Sequence, residues 1–557
     1  MIKRYLLLLI SIFLPILGYS QIPTLHDNEL EIRAVTDAPF ESVRLSYNHS
    51  DKELYLLTRY GQIMRVGISN GALSEVQTST DHNLENVQGM DIASDGTFYI
   101  VGNERDEVNL TNVGIIKRGK ITEGEWQWTT VAETEPYPLS NTFFDHVMNG
   151  IVVSPDGEYL YINSGSRTDH GEVHTAGGRF PDTREVPLTA VILRVPADAS
   201  GLLLENDSDF LRDNGYLFAD GTRNSFSLAF NKEGRLFATE NAGERDDPDE
   251  LNWIREGHHY GFPWVMGGNE NPMQFDGYVP EEDLLLPTET GSYDYFYNDP
   301  DFPAPPEGVE FTPGIPNYGP DAVNFRDPVT GEILSAAAED TSITSFTGHR
   351  SPLGLVFDTT RSLHGEYEGG AFALGFTSGT NDAYLLRLMN DPGEDLLHLR
   401  IEETENGYAM STRTIVSGFI SPVDSELINN RLYVVEHKNP QWLNPNAFTQ
   451  IWEVTFPGLG TQVDERQEIA ESIQLYQNYP NPFNPATVIS YQLPSAQNVS
   501  LKIYDMLGRE IATLADGLQA AGTHQAEFDA SNLSSGVYIY RLHAGESVRT
   551  RKMVLMK

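Results

Sequence analysis

No cysteine occurs anywhere in the 557 residues. That excludes disulfides, thiolate zinc and iron–sulfur sites, covalent haem attachment and a cysteine nucleophile. Basic side chains are scarce: 37 Lys+Arg face 80 Asp+Glu, a formal net charge of −43 and a pI near 4.5. A surface that acidic repels phosphate backbones and argues against a nucleic-acid binder. After the first twenty residues no apolar run reaches the roughly 20 residues that span a bilayer, so no integral membrane span is expected. With 39% hydrophobic residues the chain is globular, and its length calls for two or more domains.

What is present begins with an export signal over residues 1–20. Lys3 and Arg4 precede an apolar stretch from Leu6 to Leu17, and Gly18-Tyr19-Ser20 offers cleavage before Gln21. A retained anchor is the alternative. Charge then divides the remainder. Residues 471–557 hold seven basic and seven acidic side chains, whereas 21–470 hold 28 and 73, a net of −45. The acidic body is expected over 21–457, a Pro/Gly-led polar linker over 458–471, and a neutral tail over 472–557.

In the tail, Val488, Ser490 and Gln492 alternate with Ile489, Tyr491 and Leu493 between Pro and Asn turns. Several such runs predict a small β-sandwich. A generic adhesive sandwich would show the same alternation. The run Tyr479-Pro480-Asn481-Pro482-Phe483-Asn484-Pro485, then Met506-Leu507-Gly508-Arg509-Glu510 and Ser535-Gly536-Val537-Tyr538, resembles the C-terminal sorting domain of the type IX secretion system. That resemblance implies the secretion machinery as a partner. It also implies export through the periplasm to the cell surface or medium.

The body repeats one signature, a turn followed by alternating aromatic and aliphatic residues. Copies lie at 50–56, 94–100, 155–161 and 232–238, with weaker ones at 369–374 and 429–434. Six copies predict an all-β fold, a six-bladed β-propeller with loop insertions. The largest insertion runs from Pro263 to Ser345 and includes Tyr293, Tyr295, Phe296 and Tyr297. A loop this long can cover a binding face or be a solvated ornament.

No phosphate-binding loop, His-Glu-x-x-His helix or Gly-x-Ser-x-Gly elbow is present. Three stretches carry the remaining chemistry. Asp145-His146-Val147-Met148-Asn149-Gly150 offers a histidine that can serve as a general base. The segment Thr222-Arg223-Asn224-Ser225, followed by Thr239-Glu240-Asn241-Ala242-Gly243, supplies a fixed cation; Asp246, Asp247, Asp249 and Glu250 supply oxygens that suit Ca²⁺. The third is His349-Arg350-Ser351-Pro352-Leu353-Gly354, followed by Tyr367-Glu368-Gly369-Gly370.

Together these stretches resemble the glucose/sorbosone dehydrogenase family of pyrroloquinoline-quinone-dependent sugar dehydrogenases, over roughly residues 35–455. The resemblance implies a six-bladed propeller holding quinone and Ca²⁺, with a sugar or polyol as substrate. It assigns His146 as base, Asp145 as substrate-orienting acid, and Arg223 and Asn224 to the cofactor pocket. Ala242 and Gly243 fall where carbonyls hold the catalytic Ca²⁺, and Asp249, Glu250 and Tyr260 at a structural Ca²⁺ site. Three places depart from the pattern. Gly165-Ser166 stands where an Asp supports the base, Thr377 where a Lys follows its strand, and Ser421-Pro422-Val423-Asp424 where the last blade carries Arg. Bound Ca²⁺, Arg223 and Arg350 are then the charges expected to balance the quinone's carboxylates. The cluster Arg167-Thr168-Asp169-His170-Gly171-Glu172-Val173-His174 can replace the missing acid through Asp169, bind a divalent ion, or be a polar loop.

The function these features predict is oxidation of a sugar or alditol hydroxyl, with hydride passing to the quinone. A non-catalytic propeller that binds glycans or proteins is one alternative, and a Ca²⁺-dependent lactonase another.

Overall fold

The computed structural model describes residues 22–122, 124–175, 178–287, 296, 299–381, 384–437, 449–457, 473–475, 478, 481, 483–493, 497–506, 508–519, 522–545 and 547–556. The signal segment, the linker, Tyr293, Tyr295, Tyr297, Tyr479, Pro480, Pro482 and Leu507 lie outside them. The chain divides into two compact units, the boundary falling between Gly458 and Leu459.

Strands dominate the first unit, and six sheets follow one another along it, each built on an antiparallel run of three or more strands. Their first strands are Ser42–Asn48, Val87–Ile92, Met148–Val153, Ser227–Phe230, Pro352–Phe357 and Pro422–Ile428. Each first strand contacts the next in chain order, and the last returns to the first, so the six close a ring. The N-terminal strand Glu31–Asp37 completes the sixth sheet by pairing with Gln450–Thr455. Closure therefore ties the two ends of the unit together without covalent staples.

The repeated signature has a definite place in this ring. Each copy supplies the second strand of one sheet: Glu53–Thr58, Phe98–Asp106, Tyr159–Ser164, Leu236–Glu240, Ala371–Ser378 and Arg431–Glu436. The turn before each second strand contains one residue at positive φ: Lys52 (65°), Gly96 (85°), Gly157 (77°), Gly234 (73°), Gly369 (68°) and Asn429 (54°). Gly and Asn tolerate that left-handed region, which is why the copies share Asp-Gly-like turns. Apolar residues fill the gaps between sheets; between the second and third these include Val101, Ile116, Met148, Leu160, Ile162 and Leu193, all buried.

Because the six inner strands run in one direction around the ring, their starts and their ends define two mouths. Each mouth holds a cavity: about 580 Å³ at the starts and about 750 Å³ at the ends. The 263–345 insertion lines neither in its described part. It instead buttresses the wall of the first, where Asn271 Nδ2 donates to the His170 carbonyl at 2.7 Å and Phe296 stacks on the His170 ring at 3.6 Å.

The second unit has two sheets. One is Gln474–Leu475, Ala486–Leu493 and Gly522–Asp529; the other is Glu510–Gln519, Gln497–Tyr504, Gly536–Ala544 and Ser547–Leu555. Ile489, Tyr491 and Leu493 are buried in a core shared with Leu501, Tyr540 and Met553, while Val488 is 37% exposed. The period-2 alternation sorted that strand's faces as expected. Phe483 is buried, and its N–H donates to the Val554 carbonyl at 2.9 Å.

Candidate functional site

The 580 Å³ cavity gathers what the sequence scattered. His146, Arg223, Asn224, Ala242, Gly243 and Asp249 all line it. Asp145, Glu250 and Tyr260 do not.

His146 sits two residues before the first strand of the third sheet, and the next residue, Val147, has φ 55°, a strained value for a β-branched side chain. A mesh holds it there: the His146 N–H donates to the Ser166 carbonyl at 3.0 Å, and the Ser166 N–H donates to the Arg223 carbonyl at 2.7 Å. Gly165 has to be glycine, since a Cβ there would lie 2.6 Å from the His146 Cβ. The imidazole Nδ1 is 3.1 Å from the Ser166 carbonyl and 3.2 Å from its hydroxyl, which itself donates to the Thr168 carbonyl at 2.8 Å. Nδ1 is therefore the protonated nitrogen, and Nε2 keeps its lone pair for the cavity. Burial, and then the nearby Arg223 cation, push the imidazole pKa down to about 3. A neutral histidine is the resting state.

Asp145 is turned away. Both carboxylate oxygens accept from the Ser140 N–H, at 2.9 and 3.1 Å, and burial raises its pKa. It shapes the loop that carries His146 and faces no ligand space.

Asn224 belongs to a ladder of amides: Asn149 donates to its Oδ1 at 2.8 Å, and its Nδ2 donates to Asn241 Oδ1 at 3.1 Å. Arg223 donates from Nε to the Asp169 carbonyl (2.6 Å), from Nη2 to Asp169 Oδ1 (2.8 Å) and from Nη1 to the Asn241 carbonyl (3.2 Å). The sequence reading considered Asp169 as a stand-in for the acid behind the base. Its carboxylate instead holds Arg223, His170 and the Glu244 N–H. The base leans on a serine carbonyl.

Asp249 accepts from the Ala242 N–H at 2.7 Å and the Ser351 N–H at 2.9 Å, and burial raises its pKa to about 6. Across the wall a void of about 10 Å³, room for one water-sized particle, is lined by Glu240, Glu250, Ala242 and Tyr260. Glu240 and Glu250 pair across adjacent strands; burial, with repulsion from Asp249, raises Glu240 to about 7, and burial with repulsion from Glu240 raises Glu250 to about 8. Glu240 joins the functional candidates through its place beside Glu250 in this void. The Tyr260 hydroxyl donates to the Trp253 carbonyl at 2.6 Å and accepts from the Arg255 N–H.

Arg350, expected as a balancing charge, is only 1% exposed and held between Asp391 and Asp395, away from the cavity. His349 does line it. Burial opposes its charge, but Asp246, 2.7 Å from Nε2, outweighs that and raises its pKa.

Comparison with known proteins gives two family-model matches. Residues 49–282 match the family model described as Glucose / Sorbosone dehydrogenase, and residues 477–556 match the Secretion system C-terminal sorting domain. The first match lies within the ring-shaped unit, and the second lies in the second unit and indicates type IX secretion and export. Among solved structures, the PQQ-bound aldose sugar dehydrogenase of Streptomyces coelicolor is 17% identical, covering 77% of this chain and 99% of that one at a TM-score of 0.43. The apo-form soluble aldose sugar dehydrogenase of Escherichia coli is 14% identical, covering 77% and 100% at 0.44. The holo pyranose dehydrogenase PQQ domain of Coprinopsis cinerea is 11% identical, covering 78% and 97% at 0.46. No curated protein matches the chain. No helix among the described residues is long and apolar enough to cross a membrane.

Proposed function

We propose that residues 21–457 form a six-bladed β-propeller, joined by 458–471 to a sorting β-sandwich over 472–557. We further propose that the cavity at the strand starts is the active site of an exported enzyme acting on sugar or alditol hydroxyls. The observation that carries this reading is convergence. His146 and Arg223 are 77 positions apart in sequence, Ala242 and Gly243 lie further on, and all four line one cavity.

In this reading His146 Nε2 accepts the hydroxyl proton, and Nδ1–H leans on the Ser166 carbonyl as charge develops on the ring. Arg223 and Asn224 line the same cavity, with their donors held by Asp169 and Asn241. Ca²⁺ fits the donor set. The carbonyls of Ala242 and Gly243 accept no hydrogen bond among the described residues, and Asp249, Asp169 and Glu244 add negative charge. No three His, Cys, Asp or Glu side chains among the described residues form a metal group, so those carbonyls would be essential ligands. When bound, a divalent cation polarises the oxygens it touches. The tricarboxylate quinone does not fit these residues, because the lining arginines are already paired and no step is assigned to it.

To test the reading, full-length exported protein is incubated with Ca²⁺ and pyrroloquinoline quinone across a sugar panel while dye reduction is followed. Ca²⁺-dependent dye reduction with any sugar, whether or not the quinone is also present, supports oxidation; no turnover with any sugar refutes it. The lack of spare positive charge favours a second reading, a lactonase or binding propeller on the same face. Lactone hydrolysis without any electron acceptor would select it. Calcium should also raise the melting temperature of the ring-shaped unit by several degrees, reversed by chelator, and leave the sorting unit unchanged; equal responses would sink the cation assignment.

A further inference from the structure

Two arginines line the cavity, and both are committed. Arg59 is 3.9 Å from Glu41, at the edge of ion-pair range and half exposed, while Arg223 is locked against Asp169 at 2.8 Å with both side chains buried. Four carboxylates line the same space, from Glu41, Asp169, Glu244 and Asp249. With histidines neutral the lining has net charge −2.

Asp169 is the centre of this balance. It is fully buried, and burial notwithstanding, hydrogen bonds from His170 and the Arg223 charge hold its pKa well below the usual carboxylate range. Its carboxylate accepts from Arg223 Nη2, from His170 Nδ1 at 2.9 Å and from the Glu244 N–H at 3.0 and 3.2 Å. It also packs on the Gly243 backbone, where a Cβ would meet Oδ2 at 2.8 Å. One side chain thus fixes the guanidinium and the loop of candidate carbonyl ligands together. Phe296 covers its His170 partner from behind.

We propose that Asp169 sets the ligand preference of this cavity: by neutralising Arg223 it makes the site select neutral polyhydroxylated ligands and exclude polycarboxylates. This rests on the cavity being a ligand site, as proposed above, and not on the reaction it performs. Asp169 is a positioning and specificity residue, since it acts through Arg223. Charged hydrogen bonds are strong enough that freeing the guanidinium should tighten carboxylate binding by about 10- to 100-fold.

The experiment measures binding, not turnover. Pyrroloquinoline quinone, used as a tricarboxylate probe, is titrated by tryptophan fluorescence into full-length protein in chelator, at 20 mM and 500 mM NaCl. Wild type should bind it weakly. Asp169→Asn should bind at least tenfold tighter at low salt with the gain lost at high salt, and Asp169→Glu should restore exclusion. A parallel titration with glucose and glucuronate should show the preference for the neutral sugar reversed in Asp169→Asn. Should Asp169→Asn not fold, Thr377→Lys places an unpaired cation on the same wall and should give the same gain. Tight quinone binding by wild type in chelator, or no gain in the folded variants, overturns the proposal. Failure of every sugar to turn over, with the charge preference intact, would sink the dehydrogenase reading alone.

Discussion

Replacing His146 with Ala should lower kcat by about 10²- to 10⁴-fold while leaving the melting temperature nearly unchanged. The large effect follows from position: His146 lines the cavity with Nδ1 already held by a protein carbonyl, whereas the Nε2 of His437, a second ring held in the same way, lies 3.7 Å from Glu41. The small effect on stability follows because the ring is partly exposed to the cavity and makes only that one short backbone contact. The pH profile is the sharper readout. An ordinary histidine base loses activity below pH 6.5, because protonation removes its lone pair. Here burial and Arg223 put that loss near pH 3, so kcat/KM should stay flat from pH 8 to about pH 4 as far as His146 is concerned. Arg223→Met should move the break upward by removing the cation. A break near 6.5 in wild type, or an Ala variant with full activity, would remove His146 from the base role. A binding module would keep its ligand affinity in the same variant.

Much of this was legible in the chain. The turn-and-strand repeats mark the second strand of every sheet because each turn needs a residue at positive φ, a local demand that composition records. His146, Arg223 and the 242–243 loop were also visible, since each flanks a recognisable strand. Partnership across the ring was not. Nothing local announces that Asp169 and Arg223, 54 positions apart, share a buried ion pair, or that Arg350 is consumed by Asp391 and Asp395. Asp145 and His146 are neighbours in sequence, yet only His146 lines the cavity while the Asp145 carboxylate accepts from the Ser140 N–H. Ring closure decides these matters.

The same closure stacks charge where sequence showed only acidity, and that leads to the second large effect: the protein should be markedly more stable at pH 5 than at pH 8. At the strand-end mouth, Asp91, Asp424 and Glu426 come from strands more than 300 residues apart and face the 750 Å³ cavity. Burial raises Asp91 and Asp424 to about 6, and burial with repulsion from those two raises Glu426 well above its ordinary value. Asp424 has Arg44 as a cation 3.7 Å away; no salt bridge reaches Asp91 or Glu426 among the described residues. Glu436, at about 7 through burial, adds to the set. For each acid the native pKa lies above the unfolded one, so the folded state binds more protons between the two. Its contribution is complete below about pH 4 and is lost as pH rises through its native value, about 6 for Asp91 and Asp424 and about 7 for Glu436. A two-unit shift corresponds to about 3 kcal/mol at most per group, and several groups act together. Carboxylates with lowered pKa, such as Asp169, act oppositely but only on the acid side of their ordinary range. Glu426→Gln should therefore raise the melting temperature at pH 8 by several degrees, raise it much less at pH 5, and flatten the profile between. Equal shifts at both pH values would mean the residue acts through packing instead of charge.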